Sequence, residues 1–199
     1  MLSFQKKIRK FSEVIEIAEN KSLELGIHTI DINEAYIVYT VLYLYTMLHR
    51  NCIRVIEINS GCGYFTLWIA KAMKDSRADE CSSLISIESN RTKVNIAKEL
   101  IRVLEFSYFV KVLEGNPKEI LELIPEPIDV VFINNSESKH IDYLKVIYYK
   151  LRNRGLLIAH NVLNKQPYLL KFIKEINDPN KWFTTIIKTK YGISISIKP

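Results

Sequence analysis

Glycine is scarce in this sequence, and long apolar runs are absent from it. Six of the 199 residues are glycine, about 3% where ~7% is usual, so their positions are informative. Tyr and Thr interrupt the most apolar stretch, residues 35–48, and no run reaches the ~18 residues that a membrane-spanning helix needs. The basic amino terminus is not followed by an apolar segment and a cleavage site, as a secretory signal would be. We therefore expect a cytoplasmic protein.

Neither the cysteines nor the basic residues form a recognisable cluster. Cys52, Cys62 and Cys81 are odd in number and have no Cys-x-x-Cys spacing. This argues against a disulfide framework and against a cysteine zinc site, and we expect buried or incidental thiols. The formal net charge of +6 is spread along the chain, which favours a solvated surface over nucleic-acid binding.

Helices and strands alternate over most of the chain, with no internal repeat or linker. Helical spacing of apolar residues predicts two amino-terminal helices, residues 3–25 and 33–50. The predicted strands are residues 53–58, 84–87, 109–113, 128–133 and 155–159; the helices after them are residues 64–73, 91–104, 117–123, 138–151 and 167–176; a closing antiparallel hairpin comprises residues 182–188 and 192–197. This order predicts a single doubly wound α/β domain, residues 1–199, in which residues 1–50 add helices to a mostly parallel core at residues 51–199.

The loops after the strands hold the residues with the clearest chemistry. Ligands of a doubly wound sheet bind beyond the carboxyl ends of its strands. Glu57 precedes Gly61 and Gly63, two of the few glycines, where the backbone turns tightly and a ligand can approach closely. A purely structural turn is the alternative. Glu88 ends the second strand with a carboxylate suited to ribose hydroxyls, and Asn116 follows the third with an amide that can read an adenine edge.

A resemblance to a known family rests on six motifs: VIEINSGCGYFTLWIAKAM, SLISIESN, VLEGNPKEIL, DVVFINNSESKHIDYL, LRNRGLLIAHNVL and GISISIKP. From about residue 31 onward, the chain resembles the small prokaryotic O-methyltransferases related to catechol and caffeoyl-coenzyme A O-methyltransferases. The resemblance implies a class I, S-adenosylmethionine-dependent methyltransferase with a Rossmann-like, seven-stranded sheet whose last strand is antiparallel. It also implies that the amino-terminal helices form a substrate lid or a dimer contact.

The resemblance assigns cofactor-binding roles to residues after the strands. Glu57 and the two glycines take the methionine portion, Glu88 the ribose, and Asn116 the adenine amino group. The sequence departs from the family at Asn59, where glycine is usual, at Phe65, where a serine is usual, and at Asn116, where aspartate is usual. Backbone amides and a neutral side-chain amide can still donate and accept hydrogen bonds, so affinity is lowered rather than abolished. The expected cofactor-binding positions are Glu57, Asn59, Gly61, Gly63, Phe65, Glu88, Asn116 and Asn134.

The family's divalent-metal ligands correspond to Asn134, His160 and Asn161. In the family, the first two of these positions are aspartates. Because Mg²⁺ favours carboxylate oxygens, an amide and an imidazole in their place weaken binding severely. We expect no functional magnesium site, and a softer metal is the minor alternative.

A general base is still required if a hydroxyl is to attack the methyl group. His160 is the first candidate, because imidazole titrates near neutrality and the residue follows the fifth strand. The alternative, given equal weight, is that His160 only hydrogen-bonds to loop backbone. Glu137 and His140 are weaker candidates, and His28 and His49 lie outside the strand-end loops and are expected to be structural.

The second helix contains Tyr36, Tyr39, Tyr43 and Tyr45. These side chains suit an aromatic substrate wall or a packed core, and their helical spacing favours the core. Residues 35–48 together with the first helix offer more apolar surface than one domain needs, which predicts a homodimer.

Three functional hypotheses follow. The leading one is O-methylation of a small-molecule acceptor without magnesium, mainly by positioning donor and acceptor. The second is a catalytically silent protein of the same fold that binds S-adenosylmethionine or a protein partner. An RNA or DNA methyltransferase ranks last, because INNSES stands where an Asn/Asp-Pro-Pro-Tyr-like motif would follow the fourth strand.

Overall fold

The computed structural model describes residues 2–27, 31–49, 52–134, 140–163 and 167–199. The helices are α1 (Leu2–Glu24), α2 (Ile32–Leu48), α3 (Tyr64–Asp75), α4 (Arg91–Val103), α5 (Pro117–Leu123), α6 (His140–Lys150) and α7 (Pro167–Ile176). The strands are β1 (Arg54–Ile58), β2 (Ser83–Glu88), β3 (Val110–Glu114), β4 (Ile128–Ile133), β5 (Leu151–His160), β6 (Phe183–Ile187) and β7 (Ile193–Ile197). Within this described part of the chain, no helix is both long and apolar enough to cross a membrane.

The strands form one seven-stranded sheet in the order β3-β2-β1-β4-β5-β7-β6. Neighbouring strands are parallel except for β7, which is antiparallel to both β5 and β6. The predicted doubly wound, mostly parallel α/β fold with additional amino-terminal helices is therefore confirmed. Because the order reverses beside β1, the loops after β1 and β4 diverge to opposite sides and open a crevice at the carboxyl edge.

Apolar side chains cover both faces of the sheet. In β1, Val55 packs in the cluster that contains residues of α1 to α4, whereas Ile56 and Ile58 pack in the cluster that contains residues of α5, α6 and α7. The side chains of a strand alternate between faces, so a strand that is buried on both sides reads as a continuous apolar run. This is why the central strands could be predicted from short runs of Val and Ile.

The fifth strand begins earlier than its sequence indicated. Leu151 already pairs with Ile128, and regular pairing with β4 resumes only at Leu156 opposite Val130. Between these pairs the chain bulges, with Arg154 in the left-handed region at φ 64°. The polar residues of this bulge interrupt the apolar pattern, which explains why the predicted strand covered only residues 155–159.

The tyrosines of α2 contribute mainly to packing between helices. The rings of Tyr36 and Tyr39 meet the edge of Trp68 in α3, at centroid distances of 5.3 and 6.3 Å. Tyr43 stacks on Tyr39 at 6.0 Å, and Tyr45 is buried. These contacts favour the core interpretation over an aromatic substrate wall.

Two of the three cysteines form a disulfide, contrary to the expectation of incidental thiols. Cys52 precedes β1 and Cys81 precedes β2, and the bond joins Cα atoms 5.1 Å apart. The parallel register that pairs Arg54 with Ser83 brings the two cysteines together. Their separation of 29 residues has no local signature, which explains the wrong prediction. Cys62 is free and buried.

Candidate functional site

The turn after β1 has a backbone that few residues other than glycine adopt readily. Asn59, Gly61 and Gly63 have positive φ values of 62°, 57° and 90°. Gly63 precedes the first turn of α3, and a Cβ atom on it would lie 3.0 Å from Cβ of Ala97 in α4. A side chain at residue 63 would therefore both strain the turn and displace α4. The N–H of Asn59 donates to the carbonyl of Ile87 at 2.8 Å, so the turn lies beside the end of β2.

Glu57 is a fully buried carboxylate beneath this turn. Its Oε2 accepts hydrogen bonds from Oγ1 of Thr66 at 2.6 Å and from Oγ of Ser86 at 2.8 Å. Burial raises the pKa of Glu57 to about 7, although both hydrogen bonds act to lower it. A buried carboxylate that is only half satisfied destabilises the fold, and such groups cluster at functional sites.

Within the described part of the chain, three buried polar atoms of this segment have no hydrogen-bond partner: Oε1 of Glu57, Nδ2 of Asn59 and Oγ of Ser60. They come from residues on either side of the point where β1 ends. Leaving such an atom unpaired costs about 1–3 kcal/mol, and most are paired in folded proteins. An acceptor, an amide donor and a hydroxyl together fit a polar ligand that carries both an ammonium and a carboxylate group, as the methionine portion of S-adenosylmethionine does.

Glu88, at the end of β2, directly contacts the glycine turn. Its Oε2 accepts a hydrogen bond from the N–H of Gly61 at 2.9 Å, and its Oε1 accepts one from the N–H of Asn90, also at 2.9 Å. The side chain is 5% exposed. Oε1 also accepts a long hydrogen bond from Oγ of Ser89 at 3.5 Å. Each carboxylate oxygen has two acceptor positions, so Oε2 retains one for a ligand hydroxyl. The structure thus brings Glu88 together with Gly61, as the sequence predicted for a nucleoside site.

The third loop holds Asn116 at the start of α5. Its Oδ1 accepts from the N–H of Lys118 at 3.0 Å, and its Nδ2 donates to Oε1 of Glu119 at 3.0 Å. The N–H of Gly115 donates to the carbonyl of Glu88 at 3.0 Å, so this loop adjoins the second. Asn116 is thus a helix cap in this structure, and its adenine-binding role stays a prediction.

The fourth loop is described only at its start. Asn134 follows β4, and its N–H donates to the carbonyl of Ile58 at 3.0 Å, which places it beside the end of β1. Glu137 lies outside the described residues. His140 is the first residue of α6, but its side chain is not among those described. The weaker base candidates therefore stay predictions.

Phe65 is buried within the first turn of α3. Its ring lies 6.4 Å from that of Phe132 and 5.9 Å from that of His160, between ring centroids. Where the family's usual serine would offer a hydroxyl, this chain places an apolar ring against β4 and β5. Any contribution of the Phe65 side chain to cofactor binding is therefore by packing.

His160, the last residue of β5, faces a carboxylate that the sequence analysis missed. Its Nε2 lies 3.2 Å from Oε2 of Glu34, a residue of α2 that is 0% exposed. Burial acts to raise the pKa of Glu34, but hydrogen bonds from His160 and Thr189 outweigh it and lower the pKa to about 2. Asp31 and Glu34 match a capping-box pattern, and the box is present. That local pattern gave no sign of a contact 126 residues away.

The residues at the family's metal positions do not suit magnesium. Asn134, His160 and Asn161 offer two amides and one imidazole, all without negative charge, and Nε2 of His160 faces Glu34. Asn161 has a left-handed backbone, with φ of 64°. Among the side chains that the structure describes, no group of three or more His, Cys, Asp or Glu could hold a metal ion.

His49 has the structural surroundings expected for it. It follows α2, stacks on Tyr45 at a centroid distance of 4.0 Å, and its Nδ1 lies 2.9 Å from the Tyr45 carbonyl. His28 lies outside the described residues.

Solved structures with the same fold include several methyltransferases. A methyltransferase from Geobacter sulfurreducens is 22% identical, with a TM-score of 0.75 over 94% of this chain and 90% of that chain. An O-methyltransferase from Bacillus cereus in complex with S-adenosylhomocysteine is 18% identical, with a TM-score of 0.77 over 96% and 91%. The O-methyltransferase TomG from Streptomyces achromogenes, which is involved in tomaymycin synthesis and was solved with S-adenosylmethionine, is 18% identical, with a TM-score of 0.77 over 94% and 89%.

A sequence comparison assigns the chain to a protein family. No curated protein matches the chain. A family profile described as a methyltransferase domain matches residues 56–162, more than half of the chain, and this span includes Glu57, the glycine turn and Glu88. The chain therefore belongs to this methyltransferase-domain family, which confirms the resemblance found in its motifs.

Proposed function

We propose that this protein transfers a methyl group from S-adenosylmethionine to an oxygen of a small-molecule acceptor, without magnesium. The observation that carries the proposal is the buried carboxylate of Glu57 near the end of β1: among the described residues, its Oε1 has no partner, and neither have the polar atoms of Asn59 and Ser60 in the turn that follows. A fold without a ligand gains nothing from this arrangement. A ligand with an ammonium group would satisfy it.

The chain's own residues would hold the cofactor in three places. Glu57 would accept from the ammonium group, Glu88 would use the remaining acceptor position of Oε2 for a ribose hydroxyl, and Asn116 would contact the adenine. Gly61 and Gly63 let the backbone approach the ligand closely, because neither has a side chain in the way. When bound, S-adenosylmethionine supplies an activated sulfonium methyl group for transfer to a nucleophilic oxygen.

On the acceptor side, His160 is proposed to remove the hydroxyl proton. It ends β5 at the carboxyl edge of the sheet and is 8% exposed. Imidazole is suited to this role near neutral pH. The donor set of Asn134, His160 and Asn161 supports a reaction without magnesium, because it offers the ion no formal negative charge.

Calorimetric titration with S-adenosylhomocysteine tests the cofactor site. Glu88→Ala should weaken binding by about 1.5–3 kcal/mol, the value of hydrogen bonds to a charged acceptor. Glu114→Ala is the matched control, because Glu114 ends the neighbouring strand opposite Glu88 and is exposed. The enzyme proposal is wrong if folded wild-type protein does not bind the ligand at millimolar concentration. Equal affinity of the wild type and Glu88→Ala would remove Glu88 from the site.

The second candidate is a catalytically silent protein that binds the cofactor. Its support is the altered metal positions together with the contact between Nε2 of His160 and Glu34. Incubation with methyl-labelled S-adenosylmethionine and a panel of small hydroxylated acceptors distinguishes the two. Labelled product supports the transferase, whereas tight cofactor binding without product across the panel favours the silent protein.

A further inference from the structure

We propose that Glu34 is a positioning residue, which orients His160 so that Nε2–H faces Glu34 and Nδ1 receives the proton of the methyl acceptor. This inference rests on the proposed function, because it names the group that orients the base of that reaction. It assigns a role to the amino-terminal helix α2 beyond packing.

The acceptor positions of the Glu34 carboxylate are filled. Oε2 accepts from Nε2 of His160 at 3.2 Å and from the N–H of Asp31 at 3.3 Å. Oε1 accepts from Oγ1 of Thr189 and, at 3.2 Å, from the N–H of Tyr191. An ionised carboxylate has about four lone-pair positions, so this side chain is satisfied as an anion although it is 0% exposed. The lowered pKa of Glu34 agrees with that count.

Three separate parts of the fold hold the carboxylate in place. Asp31 and Glu34 form the capping box of α2. Thr189 follows β6, and its Oγ1 also accepts from the N–H of Gly192 at 2.9 Å, just before β7. His160 ends β5. Rotation of the Glu34 side chain would break hydrogen bonds to all three parts, so the position of the anion is fixed by the fold.

Two aromatic rings also pack beside the imidazole ring. The rings of Phe65 and Tyr191 lie 5.9 and 5.6 Å from that of His160, between centroids. These neighbours restrict rotation of the ring about its side-chain bonds. The hydrogen bond to Glu34 then selects which nitrogen points toward the carboxylate.

This geometry determines the tautomer of His160. Because an ionised carboxylate only accepts, Nε2 of the ring must carry the hydrogen of the contact with Glu34. A neutral imidazole has one N–H, so the lone pair is then on Nδ1. When the acceptor hydroxyl loses its proton to Nδ1, the ring becomes a cation beside the buried anion of Glu34, which stabilises it. A base oriented by a third group in this way is a recurring catalytic arrangement.

Nuclear magnetic resonance of protein with ¹⁵N-labelled histidine tests the assignment directly. At the high-pH plateau of its signals, wild-type His160 should carry hydrogen on Nε2, with a protected, downfield N–H resonance. His49 provides an internal reference with the other tautomer: its Nδ1 carries the hydrogen, because it donates to the Tyr45 carbonyl at 2.9 Å. Hydrogen on Nδ1 of wild-type His160 would overturn the proposal.

Two substitutions separate positioning from a structural role. Glu34→Leu, which leaves no acceptor for Nε2–H, should abolish the protected N–H resonance of His160. Thr189→Val removes a hydrogen bond from the other carboxylate oxygen and should leave that resonance in place. If the resonance persists in folded Glu34→Leu, the proposal is wrong. If Glu34→Leu does not fold, the wild-type tautomer and the Thr189→Val spectrum still decide it.

The effect of Glu34 on catalysis is measured with a methyl acceptor that has been identified in the labelled-methyl screen. Glu34→Gln should lower kcat by about tenfold to a hundredfold, part of the 10²–10⁴ that general acid–base catalysis contributes. The KM for S-adenosylmethionine should stay within about twofold, because Glu34 has no contact with the glycine turn among its described partners. An unchanged kcat contradicts the positioning role. Failure to bind S-adenosylhomocysteine instead contradicts the proposed function, and it leaves the resonance result standing.

Discussion

Replacing Glu57 with glutamine is expected to stabilise the ligand-free protein while weakening cofactor binding. The carboxylate is fully buried, and its Oε1 has no hydrogen-bond partner among the residues that the structure describes. Burial raises its pKa from 4.5 to about 7, although Thr66 and Ser86 donate hydrogen bonds to it. A tenfold change in proton affinity corresponds to about 1.4 kcal/mol. The difference between 4.5 and about 7 therefore corresponds to about 3 kcal/mol.

The direction in which the free energy of unfolding changes with pH depends on whether the folded or the unfolded state binds more protons. Between pH 4.5 and about 7, folded protein holds a proton on Glu57 that the unfolded chain has released. The free energy of unfolding therefore falls as pH rises through this window, and the loss is complete above it. Glutamine has nearly the same shape and no charge, so Glu57→Gln should raise this free energy by up to about 3 kcal/mol at about pH 8 and change it little at about pH 4.

Urea denaturation at a series of pH values measures this effect. Glu99→Gln is the matched control, because Glu99 lies exposed on α4. A Glu57→Gln variant that is less stable than wild type at pH 8, or that keeps the wild-type pH dependence, would refute the reasoning from buried charge. In parallel, the variant should bind S-adenosylhomocysteine about 1.5–3 kcal/mol more weakly, because a charged acceptor for the ammonium group is lost. Higher stability with lower affinity is the signature of a charge buried for binding.

Three further predictions concern the disulfide, the metal positions and the assembly. Reductant should lower the free energy of unfolding of wild type by about 3–4 kcal/mol, because the Cys52–Cys81 bond closes a loop of 29 residues. If reductant lowers the free energy of unfolding of a Cys52→Ser, Cys81→Ser double variant by the same amount, the disulfide is not the cause and the prediction is wrong. The double variant Asn134→Asp, His160→Asp should bind Mg²⁺ in a calorimetric titration, whereas wild type should not. Methyl transfer by wild type that is lost on chelation and restored by Mg²⁺ would contradict this prediction. Light scattering should give twice the chain mass of 23.2 kDa, because apolar side chains such as Leu44 and Leu48 are 55% and 80% exposed; a monomer across micromolar concentrations would exclude the homodimer.

The parts of the fold that follow local rules could be predicted from the sequence. The run of Val55 to Ile58 is short and apolar except for Glu57, the glycine turn follows, and the first turn of α3 begins at Tyr64. Period, length and turn chemistry all agree there, so strand, turn and helix were predicted correctly. The contact of Glu88 with Gly61 followed from the rule that parallel strands end at one edge of the sheet.

The unpredicted features depend on contacts between residues far apart in sequence. Glu34 is 126 residues from His160, and its local pattern explains only the start of α2. Cys52 and Cys81 meet because of strand register, which no spacing rule reveals. In each case tertiary placement, rather than local propensity, determines the partner.

A crystal structure of the protein grown with S-adenosylhomocysteine and Mg²⁺ tests the central claim most directly. The account predicts the ligand at the carboxyl ends of β1, β2 and β3, with its ammonium group on Glu57 and a ribose hydroxyl on Glu88. It also predicts no ion bound by Asn134 and His160. Ligand density elsewhere on the protein, with Oε1 of Glu57 still without a partner, would contradict the account.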